Sequence, residues 1–114
     1  MQLSDIRDLL ECEVLYGEDK LSTDITEVVA SDGMSEILAC ARSGELMITG
    51  LTNIQSIRTA DIAGVFAVIY CRGKIPAENV VEHAKRKGIP VLITNMGIFE
   101  ICGKLYEAGL KGVS

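Results

Sequence analysis

With 114 residues, 48% hydrophobic and 24% charged, the chain fits one ordinary domain over 1–114 and is too apolar to stay disordered. A domain of this size buries roughly 65% of its unfolded surface, so its core needs neither metal nor disulfide staples. The net charge of −5 argues against sequence-independent nucleic-acid binding, which requires a concentrated cationic surface.

Leu3, Ile6, Leu9 and Leu10 recur at helical spacing, which predicts a first helix near 4–11 with Ser4 as its cap. CEVLY at 12–16 alternates like a short strand, and the polar GEDKLSTDI carries turn residues. EVVAS at 27–31 is the next strand candidate. Asp32 then precedes a helix whose apolar stripe is Ile37, Leu38 and Ala41 and whose stop is Gly44. ELMITG at 45–50 reads as a buried strand, followed by a helix capped by Asn53, carrying Ile54, Ile57, Ala60 and Ile62, and closed by Gly64. VFAVIYC at 65–71 is continuously apolar, as a central strand covered on both faces would be. Pro76 opens a helix with Val80, Val81 and Ala84 inside, because proline suits a first turn whose N–H has no partner. Gly88 ends it, IPVLIT at 89–94 is the next strand, and Thr94 or Asn95 caps a last helix with Ile98, Ile101, Cys102 and Leu105 inward, closed by Gly109.

A glycine that ends a helix and feeds an apolar strand thus recurs at Gly44, Gly64 and Gly88. The strand starts at 45, 65 and 89 lie 20 and 24 residues apart, the spacing of successive βαβ units with short loops. The expected fold is a layered α/β domain: a mostly parallel sheet with helices packed on its faces and right-handed crossovers. The first short strand belongs either at an edge or beside the 27–31 strand, in a direction that cannot be read.

The four cysteines, Cys12, Cys40, Cys71 and Cys102, are far apart and the chain has one histidine, so no zinc spacing and no metal or other cofactor is indicated. Each sits among apolar residues and reads as a buried free thiol; Cys71 stands out because it falls where a strand ends. His83 is surrounded by charged residues on its helix, and the acidic Glu11, Glu13, Glu18 and Asp19 read as solvated helix-end and loop groups. No nucleophile–base arrangement can be argued, so catalysis is not expected. The start of the chain is amphipathic and acidic, with no signal-peptide pattern, and no apolar run reaches the roughly 20 residues of a membrane span. A cytoplasmic location is expected.

Ligands of open parallel sheets bind beyond the carboxyl ends of the strands. Those ends gather Asp32, Ser35, Thr49, Gly50, Thr52, Asn53, Arg72, Lys74, Thr94 and Asn95. Helix N-termini and two cations on one rim favour an anion such as a phosphate or carboxylate. The competing reading is that Asp, Ser, Thr and Asn stand there only to cap helices. Neither GxGxxG nor GxxxxGK[ST] is present, which removes a dinucleotide fingerprint and a Walker loop.

VVASDGMSEILA at 28–39, ELMITGLTNIQSIRTADIAG at 45–64, AVIYCRGKIPAENVVEHAKRKGIPVLIT at 67–94 and FEICGKLYEAGL at 99–110, taken in order, resemble the DRTGG domain. The resemblance covers about 12–110 and rests on the order of segments; the five letters that name the family are not spelled out. It implies a fold similar to the N-terminal domain of HPr kinase/phosphorylase. It also implies a regulatory role, in a family whose members accompany CBS-pair, phosphotransacetylase and cobyrinic-acid-synthase-like modules, without the kinase chemistry of a P-loop domain. The expectation is a ligand-sensing domain for a nucleotide or phosphorylated metabolite, with a protein-interaction module lacking any small ligand as the alternative. Mean hydropathy of +0.29 in so small a chain leaves apolar surface to cover and adds a homodimer to the expectation. A small enzyme using Cys71 is the third reading.

Overall fold

A computed structural model describes residues 1–113. Along the chain lie α1 (Leu3–Leu9), β1 (Glu13–Tyr16), a 3₁₀ turn (Glu18–Lys20), β2 (Glu27–Ala30), α2 (Met34–Cys40) and β3 (Leu46–Thr49). They are followed by α3 (Ile54–Ala63), β4 (Ala67–Tyr70), α4 (Glu78–Lys87), β5 (Val91–Ile93), α5 (Ile98–Glu107) and β6 (Lys111–Gly112). The strands form one sheet in the order β1-β5-β4-β3-β2-β6, parallel throughout except that β1 runs antiparallel beside β5. This is the expected α/β architecture, with five helices packed around a mostly parallel sheet of six strands. It settles the place and direction of the first strand.

The period of two along the central strands divides the core into two halves. Leu46, Ile48, Ala67, Ile69 and Leu92 face one side, where Leu3, Ile6 and Leu10 from the α1 region and Ile101 and Leu105 of α5 meet them. Met47, Val68, Tyr70 and Val91 face the other, against Ile37 of α2, Ile57 and Ala60 of α3, and Val80 and Ala84 of α4. All eight residues of β3 and β4 are buried, which is why these strands read as continuously apolar.

The helix sides follow from handedness. From β2 to β5 each crossover steps one strand in the same direction, with its helix on one face. The chain then returns across the sheet from β5 to β6, and a right-handed connection in the reverse direction must run over the opposite face. That is where α5 lies.

Several local expectations are corrected. Gly64 and Gly88 do cap α3 and α4 in the left-handed region, but α2 ends at Cys40, and Gly44 sits in the turn beyond, its N–H bonded to the Gly64 carbonyl at 2.8 Å. The α1 cap is Gln2, not Ser4: the Asp5 carboxylate accepts from the Gln2 N–H at 3.1 Å. Gly97, not Thr94 or Asn95, starts α5. Pro76 lies one residue before the α4 cap, Ala77. Leu38 and Ile62 face solvent, since α2 and α3 each bury a narrower face than their apolar residues span. Among the described residues, no helix is long and apolar enough to cross a membrane.

Candidate functional site

The carboxyl ends of β2, β3 and β5 share a device that sequence reasoning took for helix capping. The hydroxyl that closes a strand turns back on its own chain two residues on: Ser31 Oγ accepts from the Gly33 N–H (2.9 Å), Thr49 Oγ1 from the Leu51 N–H (3.1 Å) and Thr94 Oγ1 from the Met96 N–H (3.2 Å). None of α2 to α5 has a side-chain hydrogen bond at its cap, Asn53 included. The hydroxyls of Thr49 and Thr94 are also committed elsewhere. Thr49 Oγ1 donates to Asp32 (3.2 Å), and Thr94 Oγ1 donates to the Leu10 carbonyl (2.6 Å), tying the β5 end to α1. Both side chains are buried, so they hold the rim together and do not present it.

The end of β4 has no hydroxyl and departs from the pattern. Cys71–Lys74 is a tight turn closed by the Lys74 N–H on the Cys71 carbonyl (3.3 Å), with positive φ at both central residues, +60° at Arg72 and +70° at Gly73. The turn is clamped to the next strand end: the Arg72 N–H donates to the Met96 carbonyl at 2.8 Å and the Gly73 N–H to Thr94 at 2.9 Å. Arg72 is therefore held in a conformation that costs a non-glycine about 1–2 kcal/mol. Only one other described non-glycine residue has positive φ, Glu11 at +53°.

Asp32 gathers three strand ends. Its Oδ1 accepts from the Gly50 N–H at 2.7 Å as well as from Thr49, and its Oδ2 faces Arg72 Nη2 at 3.3 Å. The Gly50 N–H is the main cause of a carboxylate held below its ordinary pKa, with Thr49, Arg72 and Lys74 adding to it against some desolvation. Gly50 is glycine for space: a Cβ there would stand 2.5 Å from Arg72 Nη2. The ion pair is about half exposed, so its value lies in aiming the guanidinium more than in stability.

Of the ten residues expected at a site, Asp32, Thr49, Gly50 and Arg72 are thus brought into one bonded cluster. Lys74 is exposed on the same turn. Thr94 and Asn95 line the neighbouring cavity with Gly73. Ser35 and Asn53, both exposed, and half-buried Thr52 make no side-chain hydrogen bond among the described residues.

That cavity, of about 250 Å³, lies between the β4 and β5 ends and is walled by Gly73, Ile75, Ile93, Thr94, Asn95, Glu11 and Glu13. Its place has a topological reason. The chain leaves β4 toward α4 on one face and β5 toward α5 on the other, and such a reversal opens a crevice at the strand ends where ligands of open α/β sheets bind. Glu11 and Glu13 are the charged members that sequence reasoning missed, alongside the apolar Ile75 and Ile93. They join the rim because β1 is antiparallel, pairing Glu13 with Ile93 at the last residue of β5.

Cys71 offers no nucleophile: it is fully buried, and burial pushes its thiol pKa up, away from the thiolate. Among the described residues no group of three or more His, Cys, Asp or Glu side chains could hold a metal.

Residues 5–108 match the DRTGG domain family. This chain belongs to the DRTGG family. No curated protein matches it in sequence. Among solved structures, the DRTGG-family chain is similar to the CBS and DRTGG domains of the regulatory region of Clostridium perfringens pyrophosphatase, complexed with its activator diadenosine tetraphosphate, at a TM-score of 0.77 and 22% identity. The likeness covers 91% of this chain and 45% of that one, so the DRTGG chain spans less than half of that regulatory region.

Proposed function

We propose that this DRTGG chain acts as one non-catalytic regulatory domain that senses a nucleotide or phosphorylated metabolite at the carboxyl ends of its strands. The observation that carries the reading is the Arg72 turn: a cation held in left-handed backbone, clamped to β5 and aimed by Asp32, with Lys74 beside it on the exposed rim. Strained residues fixed by their surroundings cluster at ligand clamps and switch regions. The likeness to a regulatory region bound to a nucleotide activator supports the ligand class. The fully buried Cys71 thiol, with its pKa pushed up by burial, supports a role without catalysis.

Calorimetry with diadenosine tetraphosphate, ATP and inorganic tripolyphosphate tests this. Binding is expected, and Arg72→Ala should weaken it about tenfold or more, since hydrogen bonds to charged groups contribute about 1.5–3 kcal/mol. No heat with any of the three, or an Arg72→Ala protein of unchanged affinity, ends the proposal.

One observation favours a second reading, an interaction module. Phe99 and Tyr106 on α5 are 89% and 77% exposed, and Tyr106 lines an apolar groove of about 200 Å³ together with Val28, Leu105 and Val113. The same surface supports a homodimer, and the reading includes a cytoplasmic location. Sedimentation showing a strict monomer at high concentration would remove the dimer.

A further inference from the structure

We infer that the cavity between the β4 and β5 ends is a nucleoside subsite, which makes the domain discriminate a nucleoside polyphosphate from a bare polyphosphate. The inference rests on the proposed anion-binding rim and adds its polarity. The cavity abuts the Arg72–Lys74 turn through Gly73, yet the only charged side chains in its own wall are the carboxylates of Glu11 and Glu13. A phosphate is repelled there. A sugar diol or a base amine, which donates hydrogen bonds, is matched, and the Asn95 amide can both donate and accept.

Shape points the same way. At about 250 Å³ the cavity is below the roughly 300–1,000 Å³ of sites that enclose a whole ligand, so it suits one ring or sugar with the rest of the molecule outside. Its apolar walls are Ile75 and Ile93. Ile75 is 70% exposed although it borders a polar crevice, and the flat face of a ring would cover it. The two described non-glycines with positive φ, Glu11 before β1 and Arg72 after β4, belong to the strands on either side of β5. One side presents carboxylate and the other cation, so a ligand with a donor-rich head and an anionic tail lies along the crevice in one direction only.

The test compares ATP with inorganic tripolyphosphate by calorimetry on the whole chain, with Glu13→Gln and Ile75→Ala as variants. Both side chains are exposed, so neither change threatens the fold. ATP should bind at least tenfold tighter than tripolyphosphate. Each variant should weaken ATP about fivefold or more while leaving tripolyphosphate within twofold, and Arg72→Ala should weaken both. If ATP and tripolyphosphate bind alike and the two variants change neither, the subsite is overturned while the anion-binding rim survives. If neither ligand binds, both fall together.

Discussion

Gly50→Ala separates the fold of this domain from the aim of its cation. The new Cβ would sit 2.5 Å from Arg72 Nη2, where ordinary contacts lie at about 3.5–4.0 Å, so the guanidinium must withdraw by about 1 Å. The obstacle is the free end of a long side chain, and the next neighbour, Asp32 Oδ1, is at 3.4 Å. The backbone can stay, and with it the Gly50 N–H bond to Asp32 at 2.7 Å. Losing a half-exposed ion pair costs about 0.2–1 kcal/mol, and the stiffer unfolded chain of alanine returns about 0.4–1 kcal/mol. Stability measured by urea denaturation should therefore stay within about 1 kcal/mol of the unmodified protein. Tripolyphosphate affinity should fall by about three- to fivefold, less than for Arg72→Ala, because the cation remains but is no longer held in place. A stability loss above about 2 kcal/mol would show that the backbone at Gly50, not the guanidinium, is the constraint. Unchanged affinity beside a damaged Arg72→Ala protein would refute the role given to Asp32.

Asp32 has its carboxylate pKa depressed in the fold, so its contribution is present above the unfolded value of about 3.9 and is lost as pH falls through the lower folded value. Anion binding followed by calorimetry should accordingly show no loss attributable to Asp32 between pH 7 and 5. Glu45 has the opposite sign. Its Oε1 accepts from the Arg42 N–H at 2.6 Å, its buried Oε2 has no partner among the described residues, and burial pushes its pKa up. The ionised form opposes folding, so stability is greatest below the unfolded value of about 4.3 and is lost as pH rises through the raised one; Glu45→Gln should raise the urea midpoint at pH 7 and flatten that slope. Gly17→Ala should cost about 3 kcal/mol in the same measurement, since Gly17 has φ +103° and its Cβ would meet Pro90 Cβ at 2.6 Å and Cα at 2.9 Å. Thr94→Val should cost about 1–3 kcal/mol by stranding the Leu10 carbonyl that Thr94 serves at 2.6 Å.

What the sequence revealed and what it hid divide along the range of the interactions. Gly64 and Gly88 were legible because a helix that ends in the left-handed region needs its glycine at that residue. The buried β3 and β4 were legible because parallel strands covered on both faces lose all polarity. Gly44 carried the same letter without the same job, since α2 stops before reaching it. The two-residue β6 has no pattern of its own; α5 delivers it to β2, where Val28 pairs with Gly112. The Asp32–Arg72 contact joins residues 40 positions apart and leaves no period to detect. At the strand ends the Thr49 and Thr94 hydroxyls bond their own backbone and cap no helix, a difference hidden in the sequence because a threonine that turns back on its own backbone and one that caps a helix look alike there.

Among the features the sequence hides, the direction of β1 has the largest consequence for the rim. In the antiparallel pairing Glu13 meets Ile93, and β1 then runs away from the ligand end to bring Tyr16 beside Val91. A parallel β1 in the same slot would leave Glu11 and Glu13 at the amino ends of the strands, with the β4–β5 crevice free of their carboxylates. The crossover rule alone puts a cation-bearing turn at the crevice. The antiparallel edge strand closes it and gives it a negative far wall, which turns an anion site into one with a head and a tail.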